Sequence, residues 1–159
     1  MQKRVVCENL RSAYNVGNII RTADGLGRGV ILVGYTAPKE HKKVTKTALG
    51  AEETVSLLQF ETLDAFYVRI RDNDAVLLSA EKTAESISLN DQQFLDYISS
   101  RGSKSVLALV MGNEVTGVES STLEKSDYVV HIPMLGSKES FNVGQAAAII
   151  MWHIDLYNS

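Results

Sequence analysis

The chain has 159 residues, 45% of them hydrophobic and 22% charged, which suits one globular domain with a real core. It holds no run of about 18 uncharged apolar residues, and Met1-Gln2-Lys3-Arg4 leads into only a few apolar residues before Glu8, so neither a membrane span nor a secretory signal is expected and the setting reads as cytoplasmic. The single cysteine, Cys7, excludes an internal disulfide framework; His41, His131 and His153 lack metal-ligand spacing, and no metal is expected.

In chain order, Val5-Val6 opens a short apolar strand, and Asn15 to Leu26 has helical spacing, with Val16, Ile19, Ile20, Ala23 and Leu26 on one face, Asn15 as N-cap and Gly27 as stop. Gly29 to Tyr35 is a continuous apolar run, as in strands buried on both faces of a parallel sheet, and the pattern recurs at Thr54 to Phe60, Ala75 to Ser79, Ser105 to Met111 and Tyr128 to Ile132. Helical composition fills Leu63 to Arg71, Asp91 to Ser100 and Glu119 to Lys125. This alternation predicts an α/β fold, a largely parallel sheet flanked by helices, in a single domain over 1–159 with no linker. The final helix, Asn142 to about Leu156, is apolar around nearly its whole circumference; a helix lying on a sheet needs one apolar stripe, so a second chain or an unusual wrapping of this one must cover the rest, and a homodimer is expected.

Charge is uneven. Residues 1–50 carry nine Lys/Arg and three Asp/Glu, the remainder seven and sixteen, for a net -3. The densest basic piece is Pro38-Lys39-Glu40-His41-Lys42-Lys43-Val44-Thr45-Lys46, readable as a solvated loop or as a set of phosphate contacts.

Three segments fall at carboxyl ends of strands, where parallel sheets place their ligands. Asn15-Val16-Gly17-Asn18-Ile19-Ile20-Arg21 follows the first strand, Gly112-Asn113-Glu114-Val115-Thr116-Gly117 follows the run ending at Met111, and Ile132-Pro133-Met134-Leu135-Gly136 with Ser140-Phe141-Asn142-Val143 precedes the last helix. Each has a plain alternative: helix cap, positive-φ turn, helix cap. Neither common phosphate-loop signature is present, which disfavours a Rossmann dehydrogenase or a P-loop enzyme.

Taken together, in this order and over the whole chain, the segments resemble the three motifs of the SpoU/TrmH branch of the SPOUT RNA methyltransferases. The resemblance implies a C-terminal deep trefoil knot, a homodimer, S-adenosylmethionine as cofactor (leaving as S-adenosylhomocysteine), and methylation of a ribose 2′-hydroxyl of tRNA or rRNA. It implies a cofactor pocket from Val110, Met111, Gly112, Asn113 and Gly117 on one side and Ile132, Pro133, Met134, Leu135, Ser140, Phe141 and Asn142 on the other. The catalytic set it implies is Asn15, Arg21, Glu114, Ser140 and Asn142. Arg21 is assigned there to the reacting hydroxyl, either as the general base or, because a guanidinium ordinarily keeps its proton, as a grip on the adjacent phosphate that stabilises developing negative charge. Phe141 and Gly144-Gln145 depart from the usual pattern. With no appended RNA-binding domain expected, RNA contact falls to Arg11, Arg21, Lys39, Lys42, Lys43 and Lys46, with Arg4 and Arg28 as further candidates. The competing reading is a non-catalytic RNA-binding protein that retains the fold.

Overall fold

The computed structural model describes residues 1–73, 75–101 and 105–157. Seven strands, β1 (Gln2–Glu8), β2 (Gly29–Val33), β3 (Leu57–Phe60), β4 (Ala75–Ala80), β5 (Ile87–Ser88), β6 (Val106–Met111) and β7 (Tyr128–His131), form one sheet in the order β3-β2-β1-β6-β4-β7-β5. Every pairing is parallel, with Val6 beside Ile31 on one flank and Val110 on the other. The helices are α1 (Ala13–Gly25), α2 (Lys42–Ala48), α3 (Ala51–Thr54), α4 (Leu63–Asp72), α5 (Gln92–Ser100), α6 (Ser120–Lys125) and α7 (Val143–Tyr157). The parallel α/β expectation therefore holds.

Strand alternation splits the core in two. Val5, Cys7, Val30, Leu32, Leu107, Leu109 and Met111 face α1, α2, α5 and α7, whereas Val6, Ile31, Val33, Ala108 and Val110 face Phe66 of α4 and Leu123 of α6. A fully buried side chain of this kind contributes about 1.5–3 kcal/mol relative to an exposed one. Burial on both faces is what made these strands read as unbroken apolar runs.

Three local expectations need correction. Ser12, not Asn15, caps α1: its hydroxyl accepts from the Asn15 amide at 3.3 Å, leaving the Asn15 side chain available elsewhere. The lysine-rich segment is not a loop after residue 41, because Lys42–Ala48 is helical, capped by His41 Nδ1 accepting from the Lys43 amide at 3.1 Å. Thr54 ends α3, and the following strand starts only at Leu57. The two-residue β5 is too short to carry a sequence signal.

Gly17 explains how α2 sits on α1. A Cβ there would lie 2.4 Å from the Val44 carbonyl oxygen and 2.0 Å from Thr47 Oγ1, so only glycine lets the two helices approach this closely. The glycine of the first segment thus seats the basic helix against the helix that follows β1. Arg28 is lost as an RNA contact: it is 2% exposed and donates to the Met151 carbonyl at 2.6 Å and Asp155 at 2.8 Å. Arg4 is half-buried within the sheet's second face.

Candidate active site

The carboxyl ends of β1, β4, β6 and β7 all open on one edge of the sheet, as a parallel sheet requires, and there the chain forms a cleft of about 400 Å³. Met111, Ile132, Met134, Phe141 and Ile150 supply apolar walls, while Gly112, Asn113, Glu114, Ser140 and Asn142 bring polar groups and close backbone. Apolar walls with placed polar groups beside them can hold and orient a small molecule.

A row of side chains crosses the mouth and joins all three segments. The Glu114 carboxylate accepts from the Arg11 amide at 2.8 Å, the Ser12 amide at 3.0 Å and Asn15 Nδ2 at 3.1 Å. A carboxylate only accepts, so Asn15 must present Oδ1 on its other side, where Asn142 Nδ2 donates at 3.2 Å. Asn142 Oδ1 then accepts the Gly144 amide, in the first turn of α7, at 2.9 Å. Asn142 is at once the cap of the last helix and a member of the row. Gly144 is buried with Asn142 Oδ1 only 3.2 Å from where a Cβ would be, a physical reason for glycine at that departure from the usual pattern.

Partial burial pushes the Glu114 carboxyl up, but the Arg11, Glu114 and Ser12 amides and Asn15 more than reverse this and hold it below the ordinary carboxylate range. Because the folded value is depressed, its stabilising effect is complete above about pH 4.5 and is lost as pH falls through that lower value. Glu114→Gln is accordingly expected to be less stable than wild type at neutral pH, with the gap closing as the medium is acidified; parallel urea titrations from pH 7 to pH 3 check this.

Neighbouring groups brace the second loop. Asn113 and Gly117 exchange backbone bonds at 3.0 and 2.9 Å, and Gly117 (φ +76) passes so close to Glu81 that a Cβ would be 2.2 Å from its Oε2. Glu81 accepts from the Val118 amide at 3.1 Å. Glu8, fully buried at the end of β1, accepts from the Glu119 amide at 2.8 Å and from the Thr122 hydroxyl, anchoring α6. Burial raises its pKa, and those two bonds oppose the rise.

Of the cofactor residues implied by sequence, Met111, Gly112, Asn113, Gly117, Ile132, Met134, Ser140, Phe141 and Asn142 line the cleft. Val110, Pro133 and Leu135 do not. Val110 has the opposite strand parity to Met111 and faces α4, Pro133 is exposed, and Leu135 projects wholly into solvent. Sequence reasoning missed Glu81, Lys82 and His131 as lining residues; the signal was there, since residues 81 and 82 follow a strand whose carboxyl end must share the same edge. Asn15 reaches the mouth through Asn142, whereas Arg21 is exposed on α1 outside the lining. Arg11, Lys42, Lys43 and Lys46 are exposed; Lys43 Nζ stands 5.6 Å from the Tyr14 ring centroid, and Lys39 pairs with Glu53 at 3.2 Å.

The sequence profile of the SpoU rRNA Methylase family matches residues 2–152. The chain belongs to that family. Among its SpoU relatives, the 23S rRNA (guanosine(2553)-2'-O)-methyltransferase RlmP of Bacillus subtilis (strain 168) is 29% identical over 154 residues, covering 96% of this chain and 58% of the relative. The 23S rRNA (guanosine-2'-O-)-methyltransferase RlmB of Bordetella pertussis is 30% identical over 149 residues, covering 93% and 57%. In structure, an AdoMet-bound rRNA methyltransferase from Sinorhizobium meliloti superposes with a TM-score of 0.80 at 25% identity, covering 98% of this chain and 56% of that one. The chain thus spans a little over half the length of the curated SpoU relatives it matches. No helix among the described residues is long and apolar enough to cross a membrane, and none of their His, Cys, Asp and Glu side chains cluster in threes to suit a metal ion.

Proposed function

We propose that this SpoU domain, residues 1–159, is a cytoplasmic enzyme that methylates a ribose 2′-hydroxyl of tRNA or rRNA with S-adenosylmethionine. The observation that carries the reading is the hydrogen-bonded row Glu114–Asn15–Asn142, which ties the three family segments together at the mouth of the cleft. The cleft fits the cofactor: its volume lies in the range of about 300–1,000 Å³ typical for such ligands, and backbone at Gly112 is bare because a Cβ would strike the opposite turn. Met111, Met134 and Ile150 offer apolar surface, and Gly112, Asn113 and Ser140 offer hydrogen-bonding edges. Bound there, S-adenosylmethionine supplies an electrophilic methyl group.

The chain's own residues do the rest. Arg21 holds the phosphate beside the target ribose and steadies negative charge growing on the 2′-oxygen as its proton passes to water and the S–CH3 bond breaks to release S-adenosylhomocysteine. Asn15 and Asn142 fix the approach of the ribose, and Glu114 fixes Asn15. Arg11, Lys42, Lys43 and Lys46 hold flanking phosphates on the same side of the molecule as α2. Incubation with methyl-labelled cofactor and total RNA, followed by nuclease digestion and mass spectrometry, is expected to yield one 2′-O-methylated nucleotide. A methylated base, or RNA binding without methylation, overturns the reading.

The C-terminal knot and the homodimer belong to the same proposal. β7 inserts between β4 and β5, and the chain then returns as α7 to pack on α1 and α5, a course that supports threading of the C-terminal segment through an earlier loop. Ile149, Trp152, Leu156 and Tyr157 of α7 are exposed, while Gly144, Ala147, Ile150, Met151 and Ile154 are buried. A second copy covering the open face accounts for a helix apolar all round. Light scattering is expected to give a dimer for the wild type at micromolar concentration and a monomer for Trp152→Glu; a monomeric wild type removes the dimer.

A further inference from the structure

Tyr35, one step past the Gly34 turn that ends β2, carries the most exposed aromatic ring among the described residues, at 65%. A surface tyrosine ordinarily moves freely, but this one is fastened at both ends. Its main-chain N–H donates to Asn9 Oδ1 at 3.3 Å, and its hydroxyl oxygen accepts from Asn113 Nδ2 at 2.7 Å. The orientation of Asn113 is not arbitrary: Oδ1 accepts the Val115 and Thr116 amides at 2.8 and 2.9 Å, so Nδ2 must be the atom facing the ring hydroxyl and the Asn9 carbonyl. The loop beneath is equally fixed. Thr36 Oγ1, 2% exposed, accepts the Leu10 amide at 3.0 Å, and Gly34 (φ +68) has Asn9 Oδ1 where a Cβ would be.

The result is an aromatic face held rigid and left open to water. A tyrosine kept for packing would bury its ring, and one kept for solubility would need no anchors. Asn113, which holds it, immediately precedes Glu114, and Glu114 in turn binds the main-chain amide of Arg11, an exposed basic residue. An open aromatic plane on a surface that also carries exposed basic residues is how proteins take up single-stranded nucleic acid, because every base has a π-face. Pre-fixing the ring removes the entropy loss of ordering it on binding.

We propose that Tyr35 is a stacking platform for a nucleobase of the RNA, next to the nucleotide whose ribose meets Asn15 and Asn142. It is a positioning residue, and its role rests on the methyl-transfer reading above. Stacking tolerates any base, so Tyr35 sets where the strand lies more than which sequence is read. The proton on its hydroxyl is not used by Asn113 and can be donated to the same strand.

The test uses the full chain. Steady-state methylation of total RNA by Tyr35→Ala and Tyr35→Leu is expected to show KM for RNA raised about tenfold or more. The kcat and the affinity for S-adenosylmethionine are expected to stay within about threefold; Tyr35→Phe and Tyr35→Trp keep an aromatic face but lose the hydroxyl that Asn113 holds, so their KM should fall between wild type and Tyr35→Ala. In parallel, a 2-aminopurine-labelled RNA hairpin should lose fluorescence on binding wild type and not on binding Tyr35→Leu. Wild-type KM and quenching in Tyr35→Leu, or a Phe variant as impaired as Ala, overturns the platform. Quenching by a protein that methylates no RNA would sink the methyl-transfer reading and leave the platform standing.

Discussion

Arg21→Ala is expected to lower methyl transfer by about a hundredfold or more, the cost of removing one preorganised charge stabiliser, while the affinity for S-adenosylmethionine stays within a few-fold. The separation follows from geometry. Arg21 is exposed on α1 and lines no part of the cleft, so its loss leaves Met111, Gly112, Met134 and Ile150 where they are. It is equally remote from packing, because the buried stripe of α1 is Val16, Gly17, Ile19, Ile20 and Ala23. Melting should therefore be unchanged, and calorimetric titration of the cofactor against a radiometric rate separates the two effects. Arg21→Lys keeps the charge but loses the planar fork that matches a phosphate, so it should recover only part of the rate. Equal loss of rate and cofactor affinity in Arg21→Ala would show that the arginine belongs to the pocket.

The second large effect is Gly112→Ala. Its Cβ would lie 2.3 Å from the Val118 amide nitrogen, 2.5 Å from the Gly117 carbonyl carbon and 2.6 Å from the Gly117 oxygen. All three are backbone atoms, so no rotamer change relieves them. The turn cannot retreat either, being closed on itself by the paired Asn113 and Gly117 bonds and held from behind by Glu81. The expected cost is at the upper end of overpacking, about 3 kcal/mol, with cofactor affinity lower by at least about tenfold because the displaced turn carries Asn113 and Glu114. Gly25→Ala is the control: nothing lies within 4 Å of its Cβ, and it ends α1, so the change should be neutral or slightly stabilising. Urea unfolding and calorimetry decide; a Gly112→Ala protein as stable and as tightly binding as Gly25→Ala contradicts this account.

The sequence made the sheet and the motif loops legible for one reason and hid side-chain direction for the same reason. Strands such as Val106–Met111 are apolar on both faces, which marks them as central parallel strands but erases the alternation that would say which residue turns toward the cleft. Hence Val110 and Met111 looked equivalent in sequence and lie on opposite sides of the sheet. Helix α2 is hidden because its burial rests on only Val44 and Ala48, too little for a periodic pattern, and its seat is Gly17, on another helix far upstream in the chain. Asn15 was misread as a cap because cap and site residues draw on the same short polar side chains; the deciding partner, Glu114, is 99 positions away. The motif order was readable, and the hydrogen bonds joining the motifs were not.

The row across the mouth also has a direction. From the Gly144 amide to Asn142, to Asn15, to Glu114, each member donates forward and accepts from behind, and the series ends on a group that can only accept. Aspartate matches asparagine in shape almost atom for atom, yet at 15 or 142 it has nothing to hand on and would set carboxylate oxygen against an acceptor. The two asparagines are thus fixed by the polarity of their neighbours as much as by any contact with RNA, and the nearest isostere is the replacement this edge of the sheet can least accommodate.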